Sequence, residues 1–451
     1  MASHITILGG GPAALSIGYY ARKQSLPFTI YEAKAGTGGN SVTLRHGDFL
    51  FDSGAHRFHD KNPEITREIQ LLMGSGLKRI TIPSKIYDNG VFIKFPLSSM
   101  DLLRNMGPFV FARAAIEVLR ARLTGRNGEG NFKDFALHAY GNIIAGRFLL
   151  NYSEKLWGMP CNRLSPGIAG KRLEGLDLKS FVMDSLLGSR FRVEHMEGSF
   201  FYPEGGIGAI SRQLSDVCTK ENIRTNARIT KVLHDNSRIC AVEVNETERI
   251  VTDEVVSTLP IDFFLDIMEP KPPEDVILAS RGLHYRNVIL VALFLDRESV
   301  TDAATVYFPD SDIPFTRIYE PRNRDGTMSP RGKTSLVAEI PCQREDDVWN
   351  MGDDMLVRLV RTKLVDDIGW IRENEITGTS VNRLDHAYPI LEMGFEEKLR
   401  EINDYLRRFH NLKLSGRNGR FIYSWIHNMM VLGRDIVREY DARKPVRGSG
   451  E

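Results

Sequence analysis

The N-terminal part of the chain alternates short apolar runs with turns that are rich in glycine. Residues 5–8 are apolar and lead directly into the glycines 9–11, a helix-compatible segment begins at Pro12, and a second apolar run, 28–31, ends at Glu32. Short apolar runs that end in turn residues indicate buried strands, and proline is favoured in the first turn of a helix. The pattern predicts a strand–helix–strand unit.

Downstream, the apolar pattern changes its period. Residues 63–190 show mainly helical spacing, and extended structure resumes after residue 199. Alternating or continuous apolar runs predict strands at 229–232, 239–244 and 255–260, and a mixed sheet that lines a substrate cavity at 287–295, 305–308, 315–319 and 334–340. Helices are expected at 355–367, at 395–409 and at the C-terminal end.

The first strand–helix turn has the spacing of a dinucleotide-binding motif. Gly9 allows a tight turn, Gly11 lets the backbone approach a pyrophosphate at the helix N-terminus, and Ala14 keeps the helix close to the strand. Glu32 is placed to accept hydrogen bonds from a ribose hydroxyl. We therefore expect a bound dinucleotide, with a glycine turn that holds no ligand as the alternative. Spacing alone allows either FAD or NAD.

Composition and charge exclude several classes of function. The 451 residues suit two or three interleaved domains, and a net charge of +1 gives no reason to expect a nucleic-acid partner. The four cysteines are widely spaced, without the spacing of metal ligands. We expect reduced thiols, no metal and a cytoplasmic protein without a signal peptide.

One segment has the composition of a membrane-surface helix. Residues 102–123 are amphipathic and contain four arginines. Such a helix can lie on an anionic membrane, but a solvated basic face of a substrate domain explains the pattern better. No stretch approaches the ~18 apolar residues that a membrane span requires. We expect no peripheral membrane contact.

Two features after Glu32 extend the motif. The pair Gly38-Gly39 forms a second glycine turn, and the string 51–56, Phe-Asp-Ser-Gly-Ala-His, offers small residues that a flat ring could approach. The arrangement resembles the glutathione-reductase-like FAD proteins, which include amine oxidases and protoporphyrinogen oxidase. The segment 202–208, Tyr-Pro-Glu-Gly-Gly-Ile-Gly, also resembles the oxidase members.

This resemblance implies FAD as the cofactor and an α/β fold class. It implies a glutathione-reductase-like FAD-binding Rossmann domain with a discontinuous α+β substrate domain. The expected FAD-binding pieces are 1–62, 196–280 and 391–451, and the expected substrate-domain pieces are 63–195, mostly helical, and 281–390, mostly sheet.

A series of short strings resembles a narrower group, the UDP-galactopyranose mutases. The strings occur in the same order along nearly the whole chain: Gly38-Gly39-Asn40, the His-Arg-Phe-His string 56–59, the Tyr-Ser-Glu-Lys-Leu-Trp-Gly string 152–158, the Phe-Thr-Arg-Ile string 315–318, Tyr388-Pro389, and the segment 416–423. Each string is weak alone, but the ordered set is specific for the superfamily.

Motif and resemblance together imply a set of cofactor contacts. The expected residues are Gly9, Gly11, Pro12, Ala13, Ala14, Glu32, Ala33, Gly38, Gly39, Asn40, His56, Arg57, Val232, Gly416, Arg417 and Tyr423. No histidine or cysteine stands in an obvious attachment motif, so we expect flavin to be held non-covalently.

The candidate catalytic residues are His56, Trp157, Arg172, Arg317 and Tyr388. His56 could move a proton, since imidazole titrates near neutral pH. Trp157 and Tyr388 lie inside the matched strings and could form a wall of the substrate site. For each of them, a purely structural role is the alternative.

The mutase resemblance implies paired arginines that bind a diphosphate. Arg172, Arg286, Arg317 and Arg417 are all candidates, because guanidinium groups bind phosphate through two hydrogen bonds. The chain departs from the mutases at its closing segment, where Trp-Ile-His occupies 425–427 in place of Asp-Met-Asp.

Three functions are compatible with these observations, and they follow in the order in which the sequence favours them. The first is an FAD-dependent oxidoreductase that transfers a hydride from a small or glycosylated substrate to flavin N5, with an electron acceptor that the sequence does not identify. The second is a non-redox mutase that uses reduced flavin and a nucleotide-sugar substrate. The third is a binding protein without catalysis, as in Rab GDP-dissociation inhibitors. A homodimer is compatible with all three.

Overall fold

A computed structural model describes residues 3–95, 99–123, 130–168 and 199–442. These residues form a mixed α/β structure, which confirms the α/β class expected from the sequence. The described residues form twenty strands: β1 (Ile5–Leu8), β2 (Phe28–Tyr31), β3 (Thr43–His46), β4 (Phe49–Asp52), β5 (Leu77–Thr81), β6 (Ser84–Asp88), β7 (Val91–Phe95), β8 (Ser199–Pro203), β9 (Ile223–Arg224), β10 (Ile229–His234), β11 (Ile239–Val244), β12 (Glu248–Val251), β13 (Glu254–Ser257), β14 (Met268–Glu269), β15 (Tyr285–Leu295), β16 (Val306–Tyr307), β17 (Arg317–Tyr319), β18 (Thr334–Cys342), β19 (Ile376–Pro389) and β20 (Leu412–Leu414).

The α-helices pack around the sheets and connect their strands. Within the described ranges they number fourteen: α1 (Pro12–Lys23), α2 (Pro63–Met73), α3 (Ser99–Met106), α4 (Pro108–Leu123), α5 (Phe132–Ile144), α6 (Asn151–Trp157), α7 (Gly208–Cys218), α8 (Ile261–Asp266), α9 (Glu274–Arg281), α10 (Asp347–Asn350), α11 (Asp353–Thr362), α12 (Phe395–Leu406), α13 (Gly416–Gly419) and α14 (Ile426–Ala442).

A five-stranded parallel sheet has the order β20-β13-β1-β2-β9. β1 is central and buried along its whole length, as its apolar sequence predicts. Because the strands are parallel, their carboxyl ends share one edge, and Gly9, Glu32 and Thr258 follow β1, β2 and β13 there. α14 crosses α1 closely, since a Cβ at Gly433 would lie 3.0 Å from the backbone of α1.

A larger, seven-stranded sheet has the order β19-β15-β18-β17-β16-β6-β7. Its neighbours are antiparallel except for the parallel pair β16 and β6. β15 and β18 are buried along nearly their entire length, which explains why both appear as continuous apolar runs. The predicted mixed sheet is therefore present. β19, whose sequence is largely polar, was not predicted.

The mostly helical prediction for 63–195 is wrong over residues 77–95. These residues form β5, which pairs with β8, and the hairpin β6–β7. Asn89 and Gly90 both adopt positive φ at the turn of this hairpin. An Asn-Gly pair between alternating strands is a strong hairpin signal, and the helical interpretation overlooked it.

Two further expectations relate to these elements. No helix within the described part of the chain is long and apolar enough to cross a membrane. Arg172 and the rest of 169–198 lie outside the described residues. The domain boundaries remain predictions.

Candidate active site

The turn between β1 and α1 contains three glycines with different surroundings. Gly9 has a φ of +95°, and a Cβ there would lie 2.5 Å from Thr258 Oγ1. A Cβ on Gly10 would lie 2.7 Å from Glu32 Oε2. A Cβ on Gly11 would meet only the Cα of Gly39, at 3.8 Å. Packing within the protein thus requires the first two glycines but not Gly11, whose open face suits a closely approaching ligand.

Glu32 connects the end of β2 to this turn. Its carboxylate accepts hydrogen bonds from the Gly10 N–H at 2.7 Å and from the Lys34 N–H at 2.8 Å, and the residue is 9% exposed. The carboxylate is therefore fixed beside the N-terminus of α1. Its proposed contact with a ribose stays a prediction.

Two other glycine turns meet the same helix end. The Gly38 N–H donates to the Gly10 carbonyl at 2.8 Å, and a Cβ on Gly39 would lie 3.0 Å from Gly11 Cα. A Cβ on Gly416 would lie 3.0 Å from the Ala13 Cβ. We call residues 9–11, 38–39 and 416 the glycine cradle. It surrounds a helix N-terminus that no described side chain caps, which is a favourable place for a pyrophosphate.

Arg317 is the first residue of β17, and its side chain belongs to a hydrogen-bonded network. Its Nε donates to Glu339 Oε2 at 2.6 Å, and its Nη2 donates to the Tyr388 hydroxyl at 2.9 Å. The other Glu339 oxygen accepts from the Ala55 N–H at 2.6 Å. Burial opposes the charge of Arg317, but Glu339 offsets this and holds the pKa of the guanidinium well above its usual value. Arg317 is thus a fixed, permanently charged cation.

His56 lies close to several positive charges. Its Nε2 is 3.4 Å from Ser53 Oγ. Burial lowers the pKa of His56 to about 3, and the charges of Arg417, Arg317 and Arg324 act in the same direction. The imidazole is therefore neutral at physiological pH. We call Arg317, Arg324 and Arg417 the arginine triad.

Four aromatic side chains form a continuous wall beside the triad. The rings of Tyr388 and Tyr423 are stacked with centroids 6.1 Å apart, and Trp157 meets both rings edge-on at 6.3 and 6.4 Å. Trp425 meets Tyr423 at 5.7 Å. The guanidinium of Arg417 lies 5.5 Å from the Tyr388 ring and 5.3 Å from the Tyr423 ring. We call these four residues the aromatic wall.

Asn40 and Arg417 join the cradle to the triad. Asn40 Nδ2 lies 3.2 Å from the Asp385 carbonyl, and the Asn40 carbonyl accepts from Ser53 Oγ at 2.9 Å. Arg417 follows Gly416 directly and donates to the Ala387 carbonyl at 2.9 Å. Cradle, triad and wall therefore belong to one continuous site.

Comparison with known proteins places the chain in a family. A family model described as flavin-containing amine oxidoreductase matches residues 15–382, which is more than half of the chain. The chain belongs to this family. Members of the family are flavin-containing enzymes, so the match supports a flavin cofactor for this chain.

Three solved structures share the fold of this amine oxidoreductase family member. A reduced UDP-galactopyranose mutase is 18% identical with a TM-score of 0.83, covering 97% of this chain and 94% of the other. A protein from Exiguobacterium sp. 255-15, proposed to be a protoporphyrinogen oxidase, is 16% identical with a TM-score of 0.78, covering 98% and 99%. A putrescine oxidase bound to putrescine is 14% identical with a TM-score of 0.65, covering 98% and 100%.

In this family member, the guanidinium of Arg286, a candidate for binding a diphosphate, contacts backbone carbonyls. Its side chain is buried, and it donates to the carbonyls of Leu156 at 2.9 Å and Pro341 at 3.0 Å. A Cβ on Gly158 would lie 2.4 Å from Arg286 Nη1, so the glycine makes room for the guanidinium. Arg286 therefore caps the carboxyl end of α6, and its contact with a diphosphate stays a prediction.

Four other predicted residues differ in their surroundings. Arg57 donates to Ser84 Oγ at 2.7 Å, so its guanidinium points to the edge of the seven-stranded sheet. Val232 is fully buried in β10, and Ala33 is exposed after β2. Arg172 is in the segment that the structure does not describe. Cofactor or substrate contacts of these residues stay predictions.

Lys155 lies within the matched string 152–158 and is partly buried. Its Nζ donates to the carbonyls of Phe308 and Asp310, both at 2.7 Å. Burial lowers the pKa of Lys155 to about 7. The amine is therefore partly uncharged at neutral pH.

Sequence reasoning missed three charged residues of the site. Asp52, fully buried, accepts from the Tyr202 hydroxyl at 2.5 Å and from the Ile207 N–H at 3.0 Å. Arg324 is 2% exposed, and its Nε and Nη1 have no hydrogen-bond partner within the described residues. Glu339 was detectable as the one charged residue within the apolar run 334–340.

Proposed function

We propose that the chain binds FAD in the glycine cradle and acts on a nucleoside-diphosphate sugar as a mutase that works with reduced flavin. The observation that supports this most is the arginine triad, which concentrates positive charge beside the aromatic wall. The proposal revises the order of the hypotheses, since the sequence alone favoured hydride transfer.

FAD fits the cradle because three features of the protein suit a dinucleotide. Gly11 leaves space at the N-terminus of α1, and the helix dipole favours a pyrophosphate there. Glu32 offers a fixed carboxylate at the end of β2, where a ribose would lie. When it is bound, the flavin supplies the electron-rich centre that the protein side chains lack.

The charge of the site supports an anionic substrate. Within the triad, Arg317 pairs with Glu339, while Arg324 and Arg417 add two positive charges close enough to lower the pKa of His56. Burial raises the pKa of Asp52 and disfavours its charged form. An excess of positive charge attracts a diphosphate and repels an amine, which is a cation at neutral pH. The family's amine substrates are therefore a poor match for this site.

The side chains have distinct roles in this proposal. Arg317 binds the diphosphate, because Glu339 and Tyr388 fix its guanidinium in place. The aromatic wall packs against the sugar or base and excludes water. His56 stays neutral and offers a hydrogen bond rather than a charge, since burial and the triad lower its pKa to about 3.

Hydride transfer from an anionic substrate is the second candidate. The observation that favours it is the closing segment, where Trp425 stacks on His427 with ring centroids 5.7 Å apart. This aromatic pair occupies the place at which the mutase resemblance fails. The arginine triad fits either reaction, so the two differ in whether the substrate reduces the flavin.

Binding of UDP tests the role of Arg317. We expect Arg317→Gln to weaken UDP binding to the oxidised holoenzyme by about 10- to 100-fold, because a hydrogen-bonded charge is lost. Arg408→Gln is the matched control, since Arg408 is exposed and lies over Tyr405. Isothermal titration calorimetry measures both variants. Equal UDP affinity in wild type and Arg317→Gln, or tight binding of putrescine, would contradict the proposal.

A further inference from the structure

Helices α3 and α4 expose an unusual number of large apolar side chains. Five of the twelve exposed large apolar residues in the described chain lie in these two helices: Met100, Phe109, Val110, Ile116 and Leu119. Phe109 is 90% exposed, and Leu119 is 56% exposed. Single exposed apolar residues are normal, but a group of them on two adjoining helices indicates an interaction surface.

The outermost ridge of α4 alternates apolar and basic residues. Phe109, Arg113, Ile116 and Arg120 follow one another at intervals of four, three and four, so they lie on one face of the helix. Val118, on the opposite face, is 1% exposed and packs inward. The ridge therefore points away from the protein body.

The charge of this ridge is positive. Arg113 is exposed over 76% of its side chain, and Arg120 is exposed as well. Glu117, the acidic residue of α4, is engaged by Arg113 at 3.4 Å and by the N–H groups of Asn142 and Ile143. Arginines thus flank the exposed apolar side chains. The nearby carboxylate of Glu117 is already engaged by Arg113 and by two backbone N–H groups.

We propose that the α3–α4 face, residues 99–120, docks on an anionic phospholipid surface. Apolar side chains such as Phe109 and Ile116 enter the boundary between headgroups and acyl chains, while the arginines contact lipid phosphates. The sequence favoured a solvated basic face, which does not account for the exposure of Phe109. Charge complementarity selects anionic lipid over a neutral surface. This inference is independent of the reaction that the site catalyses.

Vesicle co-sedimentation of the full-length holoprotein tests the inference. We expect binding to vesicles of phosphatidylcholine with phosphatidylglycerol and much weaker binding to pure phosphatidylcholine. Arg113→Gln and Arg120→Gln should each reduce the partition coefficient by about fivefold. Phe109→Ser should reduce it by about tenfold, whereas Leu71→Ser, at an apolar position on α2 that is 79% exposed, should not change it. Flavin content and circular dichroism verify that each variant is folded.

Several results would overturn the inference. These are absence of binding to the anionic vesicles, equal binding to both vesicle types, or equal loss in Phe109→Ser and Leu71→Ser. Light scattering provides a further check. If the wild type is a dimer that Phe109→Ser converts to a monomer, a second copy of the chain covers the face instead of lipid.

Discussion

At the residue scale, His56 and Arg317 lie in one site but differ in charge. The imidazole of His56 is neutral, and the guanidinium of Arg317 is positively charged. Arg317 keeps its charge because Glu339 accepts its Nε–H at 2.6 Å. His56 loses its charge because burial and three guanidinium groups all lower its pKa. The carboxylate of Glu339 accounts for this difference, since burial alone disfavours the charged form of both side chains.

The lowered pKa of His56 predicts a loss of stability in acid. The unfolded chain binds a proton near pH 6.5 and the folded chain only near pH 3, so the free energy of unfolding falls as the pH drops below 6.5. When the pH falls from 7.5 to 5, we expect the free energy of unfolding of His56→Asn to decrease by about 1–2 kcal/mol less than that of wild type. Urea denaturation at both pH values measures this. The exposed His410→Asn is the control, and identical losses in wild type and His56→Asn would contradict the interpretation.

Gly11 separates cofactor binding from folding. Because a Cβ there meets only Gly39 Cα at 3.8 Å, we expect Gly11→Val to fold while its affinity for FAD falls on the order of tenfold or more. Gly36→Val is the control, since a Cβ at Gly36 meets nothing within 4 Å. The absorbance ratio at 450 and 280 nm and the melting temperature measure the two properties. Full flavin content in Gly11→Val would show that the cradle assignment is wrong.

Spacing along the chain predicted Gly9, Gly11 and Glu32 because they lie in one local strand–turn–helix–strand motif, whereas Gly416 was expected from the mutase resemblance. In the structure, the Gly10 N–H donates to Glu32 Oε2 at 2.7 Å. Glu339 and Arg324 could not be predicted in the same way. They reach the site from distant strands and loops, and no local spacing relates them to His56.

At the scale of elements, Arg286 connects β15 to the carboxyl end of α6. Its guanidinium satisfies carbonyls at that helix end, where the backbone lacks intrahelical partners. Trp157 is the last residue of α6, so this contact positions one member of the aromatic wall. Arg286 therefore affects the site by fixing the carboxyl end of α6.

Removal of Arg286 should therefore affect stability and the aromatic wall together. We expect Arg286→Met to lower the free energy of unfolding by about 2–4 kcal/mol, because buried carbonyls lose their donor. Arg344→Met, at an exposed ion pair with Asp385, should cost less than about 1 kcal/mol. Urea denaturation followed by tryptophan fluorescence measures both. Equal effects of the two substitutions would exclude the capping role.

Strands with continuous apolar sequence were predictable, and strands with polar sequence were not. β15 and β18 are buried on both faces and therefore appear as apolar runs. β19 is partly exposed along most of its length, so its sequence is largely polar and did not predict the fourteen-residue strand. The β6–β7 hairpin was missed because its Asn-Gly turn was not given the weight that its geometry requires.

At the scale of the whole molecule, two sheets contribute different parts of the site. The parallel sheet positions the glycine cradle, and the seven-stranded sheet provides Arg317 and Tyr388 through β17 and β19. Local patterns in the sequence predicted the apolar strands of both sheets, and the flavin cofactor was expected from the resemblance to FAD proteins. The positive charge to which our proposal assigns substrate selection arises only when distant segments meet, so it could be seen only in the structure.

Turnover of UDP-galactopyranose by the oxidised and the dithionite-reduced holoenzyme, with the flavin absorbance recorded throughout, tests the central proposal most directly. A mutase should convert the sugar nucleotide to its ring isomer only in the reduced form, and the flavin spectrum should end as it began. Bleaching of the oxidised flavin by the substrate would establish hydride transfer instead. Absence of both turnover and bleaching, in an enzyme that retains flavin, would contradict the assignment of a nucleoside-diphosphate-sugar substrate.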